Sequence, residues 1–282
     1  MGTMFKTGSQ LLGINGSIYK FNTSIASIIK PLDPQPTNSV DDMCIDDLNN
    51  RLFVTVRGTG QVWVYDTITL TRIAIIPGFS SFLFIRKDPN PTNNRITVYD
   101  YYNSQFRFID LTSLELSSTM ISNSYGSGKF EYDQNVGRNQ ILACINTSSI
   151  AILDATTFAL IQQISDPLFN YVNAARRSAH NPDEIYVFSG GYSDVIVVNM
   201  ADLSYKIKSF STGVSDADAD PNLSNNRIYA VYGGTYIYTA SDLGFIKNLN
   251  FPAAFTVVAD PKVANHRLFF GGNSLLFTAT LG

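Results

Sequence analysis

Residues Ser215 to Pro221 read SDADADP, three carboxylates at alternate positions in a chain whose charged residues make up only 15% of its length. Side chains two apart on an extended strand share a face at about 6.6 Å spacing. Asp216 and Asp218 therefore look one way, and Ala217 and Ala219 the other. Such a pair can hold a cation, accept ligand hydroxyls, or act as acid and base. The stretch opens like a calcium loop, but that loop needs glycine at its sixth position and glutamate at its twelfth. Pro221 and Arg227 stand there instead, and no metal site is assigned. Charges cluster similarly at Asp41 and Asp42, Arg86 and Lys87, Lys129 and Glu131, and Arg176 and Arg177. Together these ten residues carry five charges of each sign. They could neutralise one another as ion pairs, which is how buried charge is tolerated. They could equally form a polar funnel that orients a charged or hydroxylated ligand.

Catalytic signatures are sparse. No G-x-S-x-G, phosphate-binding loop, H-E-x-x-H or Cys/His metal spacing occurs, and the histidines are His180 and His266. An enzyme could be assembled from Glu131 and His180 as acid and base with Arg86 and Arg176 beside them. Cys44 and Cys144 are expected to be free thiols, too few for a disulfide framework.

The elements that must position these residues come from a repeat. NNRLFVTV (49–56), NNRITVYD (93–100), NNRIYAVY (225–232) and NHRLFFGG (265–272) are clear copies, with weaker ones at 8–15, 138–145 and 182–189. Measured at the arginine position they fall at 10, 51, 95, 140, 184, 227 and 267, a period of 40 to 45 residues. Each unit divides into short runs of Val, Ile, Tyr and Phe between Gly, Asn and Asp turns, without helical periodicity. Repeats of this length with several strands each predict propeller blades. The expectation is an all-β, seven-bladed propeller of four-stranded antiparallel blades, one domain over 1–282. Strands A to D would run outward from the axis, and the charged clusters would lie on the innermost strands. The last unit lacks a fourth strand. TMFKTG near the N-terminus could supply it, or could be the first strand of the first unit.

VWVYDTITLTRIAIIPG (62–78) resembles the YVTN-type repeat, with its strand, Asp-Thr turn, strand and Pro-Gly, and 151–164 and 107–121 repeat it loosely. An Asp-Pro to Arg element recurs from Asp88, Asp220 and Asp260 to Arg95, Arg227 and Arg267. The resemblance covers nearly the whole chain and implies the scaffold. The family spans surface proteins, binding modules and lactone-handling enzymes, so it implies little about chemistry. Asp88, Asp133, Asp220 and Asp260 are expected to cap strand ends, and His180 is expected at the corresponding place in its own unit.

The turns between strands B and C are rich in Gly, Asn, Ser and Tyr, including Tyr101, Tyr102 and Tyr192, as recognition loops are. They suggest a binding face for a small molecule, glycan or protein. The expected ligand-binding residues are Asp42, Arg86, Lys129, Glu131, Arg176, Asp216, Asp218, Tyr101, Tyr102 and Tyr192. The competing class is a lyase, isomerase or lactonase in the same funnel. No cofactor is implied. A net charge of −3 without basic clusters argues against nucleic acid, and no apolar run reaches a membrane span. A monomer is expected. The compartment is open: secreted or periplasmic if a leader was removed, otherwise cytoplasmic.

Overall fold

The computed structural model describes residues 10–14, 17–21, 26–122, 129–146, 148–167, 169, 172–178, 181–189, 194–209, 213–220, 222–231, 234–249, 254–262 and 267–281. Within them six four-stranded antiparallel sheets form the blades of a propeller. Blade 1 comprises β4 (Val40–Asp46), β5 (Arg51–Val56), β6 (Gln61–Asp66) and β7 (Arg72–Ile76). Blade 2 holds β8 (Leu83–Lys87), β9 (Arg95–Asp100), β10 (Gln105–Asp110) and β11 (Leu116–Ser122). Blade 3 holds β12 (Phe130–Tyr132), β13 (Gln140–Asn146), β14 (Ser149–Asp154) and β15 (Leu160–Ser165). Blade 4 holds β16 (Val172–Arg177), β17 (Glu184–Ser189), β18 (Asp194–Asn199) and β19 (Tyr205–Ser209). Blade 5 holds β20 (Asp216–Ala219), β21 (Arg227–Val231), β22 (Thr235–Thr239) and β23 (Phe245–Asn248).

Blade 6 closes the ring. It consists of β24 (Ala254–Ala259), β25 (Arg267–Gly272), β26 (Leu275–Leu281) and, as its outermost strand, β3 (Ala26–Pro31) from the other end of the chain. The seven-blade expectation is corrected to six. The first repeat unit gives its last strand to the final blade, while β1 (Gln10–Ile14) and β2 (Ser17–Phe21) form a separate two-stranded hairpin. Seven sequence units thus yield six four-stranded blades, because the unit missing a strand and the unit donating one share a blade. Closure falls to residues 26–31 rather than to TMFKTG, which lies outside the described residues.

Packing follows the alternation of each strand. The middle strands of each blade bury apolar side chains on both faces, and adjacent blades share one core cluster at each of six interfaces. Between blades 1 and 2, for instance, Phe53, Val62 and Val64 meet Ile85, Val98 and Ile109. Burial fades outward, so β15 and β19 are largely exposed. Cys44 and Cys144 lie buried on β4 and β13 as free thiols.

The strand-end aspartates are turn caps. Asp88, Asp133, Asp220 and Asp260 each accept the backbone N–H two residues on. Asp88 and Asp260 also receive the Arg95 and Arg267 guanidiniums, and Asp133 receives that of Arg138. Asp220 instead takes the Tyr229 hydroxyl at 2.7 Å. In blade 4 the corresponding backbone bond runs from Ser178 to Glu184, so Ser178 holds that place, and not His180, which lies outside the described residues.

Candidate functional site

Counting back from the residue that ends each inner strand places the charges in two layers around the axis. Four residues back stand Asp42, Phe84, Lys129, Ala174, Asp216 and Thr256, and two back stand Cys44, Arg86, Glu131, Arg176, Asp218 and Val258. Phe84 and Ala174 pack into interblade clusters, while the charged members reach one another around the axis.

These layers interlock in a buried ion network. Asp42 Oδ2 accepts Arg86 Nη1 at 2.6 Å, and its Oδ1 accepts Arg176 Nη2 at 3.0 Å. The same Arg176 nitrogen lies 2.7 Å from Asp216 Oδ2, as does Lys129 Nζ. Thr256 donates to that oxygen at 2.5 Å. Arg86 Nε meets Glu131 Oε2 at 3.0 Å. Backbone groups fill much of the rest: Ile85 N–H donates to Asp42, Ala217 N–H donates to Asp216, and the Ala217 carbonyl accepts from Arg176 Nε. Burial works against the Arg86 charge, but Asp42, Glu131 and Asp216 outweigh it and raise its pKa. This network realises the self-neutralising ring. It joins blades 1 through 6 across the axis, since Thr256 brings in the blade whose inner strand has no charge.

Below the network lies a cavity of about 290 Å³, walled by Arg86, Glu131, Arg176, Arg177, Asp218 and Cys44 among others. Asp47, Lys87, Pro89 and Pro261 mark its position at the end where strands A turn into strands B. That end is opposite the B–C turns. Tyr101 and Tyr102, in the turn between β9 and β10, therefore lie away from it, and Tyr192 lies outside the described residues.

The cavity's charges differ in how they are held. Lys87 is committed to Asp46 and Asp47 at 2.9 and 2.8 Å. Among the described residues Asp218 takes backbone donors alone, from Ala219 N–H at 2.9 Å and Ala259 N–H at 2.8 Å. Burial pushes its carboxyl up to about 6, with Arg177 pulling the other way. Burial likewise raises Glu131, against the pull of Arg86 and Arg177. Arg177 is exposed and forms no ion pair with a described residue. Burial lifts the Cys44 thiol far above its usual range, which disfavours the nucleophilic thiolate form of this wall residue.

Of the expected site residues, Asp42, Lys129 and Asp216 belong to the network, Asp218 to the cavity, and Arg86, Glu131 and Arg176 to both. Thr256 and the mouth arginine Arg177 were not among them. Thr256 could have been found by aligning the uncharged last unit to the same layer as Asp216. Among the described residues no three His, Cys, Asp or Glu side chains are grouped to hold a metal ion, and no helix is long and apolar enough to cross a membrane. No family model and no curated protein matches the chain.

Proposed function

We propose that the protein binds a small hydroxylated carboxylate in the cavity at the A–B-turn end of the channel. One observation carries this reading: Arg177 presents a guanidinium with no ion pair to a described residue at the mouth of a cavity whose wall holds Glu131 and Asp218. A guanidinium fork matches a carboxylate bidentately. The two carboxyls, raised toward neutrality, can accept from or donate to ligand hydroxyls. The volume sits near the lower end of the range in which ligand sites fall. The other cations of the inner strands are already paired, so they position the wall rather than meet the ligand. The YVTN-like repeat occurs in binding modules and enzymes alike, so the choice rests on the cavity.

Titration calorimetry with a panel of hydroxy acids and sugar acids tests this. Binding that Arg177→Gln weakens about tenfold or more, with the melting temperature unchanged, supports it. No binding across the panel, or binding indifferent to Arg177, overturns it.

A catalytic reading has its own support, since Glu131 and Asp218 share one cavity and both have raised pKa values, as an acid and base working near neutrality require. Incubating any bound hydroxy acid, and its lactone, with the protein and following both by NMR distinguishes turnover from binding.

A further inference from the structure

The other end of the ring carries a constellation that the cavity does not use. Arg57 follows β5 in the B–C turn of blade 1, with its guanidinium over the Phe82 ring at 4.7 Å from the centroid. Its Nε donates to Asp41 Oδ1 at 2.6 Å, yet its side chain is 55% exposed. Stacking and this one bond fix the plane of the guanidinium, while both Nη groups stay free of any described partner. Asp41 is itself buried, and its Oδ2 has no hydrogen bond. It is there to hold Arg57, not to consume the fork.

The surroundings are equally set in advance. Gly58 N–H bonds the Ser81 carbonyl at 2.8 Å, and Phe79 N–H the Gly60 carbonyl at 3.2 Å. Gly60 has φ +62°, and a Cβ there would lie 2.4 Å from the Phe79 oxygen, so only glycine allows this approach. Next to Phe82 stands Tyr101, centroids 5.4 Å apart at 90°, and next to it Tyr102, 5.4 Å away at 81°. Tyr102 is 68% exposed.

We infer that this face docks an acidic peptide segment, an Asp or Glu carboxylate meeting the Arg57 fork and an adjoining apolar side chain packing on the exposed Tyr102 ring, in the corner it makes with Tyr101. Charge complementarity selects the carboxylate, and an already immobilised arginine loses little freedom on binding it. The ring geometry selects the peptide. Phe82, Tyr101 and Tyr102 meet edge to face at near-right angles, so they form a corner rather than one continuous shelf, which suits a compact side chain better than a row of sugar rings. Arginine and tyrosine are also the residue types that dominate binding energy in protein interfaces.

The test is selection of a random heptapeptide library on the immobilised protein, with counter-selection on Arg57→Gln. The expected result is enrichment of sequences pairing Asp or Glu with a neighbouring aliphatic or aromatic residue. A synthetic peptide from that pool should bind at least tenfold more weakly to Arg57→Gln, and severalfold more weakly to Tyr102→Ala. Its Glu→Gln counterpart should lose binding likewise. Tyr102 is exposed, so that variant keeps the fold even where loss of Arg57 leaves Asp41 unpaired. The inference is overturned if no acidic sequences are enriched over the Arg57→Gln control, if the Gln peptide binds equally well, or if an oligoglucuronate binds this face while the selected peptides do not.

Discussion

Asp218 and Asp220 stand two positions apart and belong to different machinery. Asp220 caps the turn that follows β20, accepting Asn222 N–H, Asn225 Nδ2 and the buried Tyr229 hydroxyl. Asp220→Ala strands these donors and should cost about 2 kcal/mol, read by urea unfolding, with ligand affinity intact. Asp218 instead governs pH dependence. A carboxyl raised to about 6 adds stability to the fold below the ordinary carboxylate range, and that contribution is lost as pH rises through about 6. Anion binding beside it should follow the same direction. Glu131 is raised too, whereas Asp47 is lowered, with its charge favoured by Lys87 though burial opposes it, and stays ionised. Affinity for a carboxylate ligand should therefore rise about threefold to tenfold between pH 7.5 and 5.5, and calorimetry showing a flat or opposite profile would contradict this. The distinction between the two aspartates was legible in the sequence, because one repeats across units and the other does not. Arg57 was not legible. Its role depends on Asp41 and Phe82, which only the fold brings to it.

At the level of elements, the repeat arginines act between blades rather than only within their turns. Arg95 holds Asp88 through Nε at 2.9 Å and reaches the Ala155 carbonyl of blade 3 through Nη2 at 3.0 Å, over the Phe108 ring. Arg51 reaches Leu111 of blade 2 and Arg267 reaches Thr67 of blade 1 in the same way. Where the repeat has Glu184 in place of arginine, the Tyr186 hydroxyl from the same strand takes over, donating to Ala240 of blade 5 at 3.2 Å. A planar fork serves two acceptors at once, which lysine cannot reproduce. Arg95→Lys should cost about 1–2 kcal/mol in urea unfolding with the channel network intact, and a neutral result would show that the clasp adds nothing. Strands and their order were readable from the period of two and the turn residues. The end of the channel that opens into a cavity was not, because it depends on which inner side chains are consumed by the ion network. Ten charges in alternation look alike in sequence. Packed around an axis, Asp42, Arg176 and Asp216 seal one level, and Arg177 and Asp218 are left at the other.

The whole molecule depends on how the ring is joined. Propeller blades bury both faces against their neighbours, so a blade missing its outer strand leaves an unpaired edge on β26. In this chain β3 covers that edge, pairing Ala26 with Leu281 through Pro31 with Phe277. The segment that follows fastens the seam further. Gln35 bonds the Leu276 backbone in both directions, Tyr65 donates to the Pro34 carbonyl at 2.6 Å, and Ser274 donates to the Thr37 carbonyl at 2.8 Å. Among the described residues the hairpin β1–β2 forms a sheet of its own, with β1 lying near β3. A repeat count could not see this, since it registers similar units and not which partner a strand takes. Two truncations separate the roles. Removing residues 1–25 should leave a cooperative melt and the binding properties unchanged. Removing residues 1–31 deletes the closing strand, and losing several ladder hydrogen bonds at about 1 kcal/mol each, together with the packing beneath them, approaches the 5–15 kcal/mol that keeps a typical domain folded. That variant should melt much earlier or associate through β26, and adding a peptide spanning 24–33 should restore part of the loss. Equal stability of the two truncations would show that β3 does not close the ring.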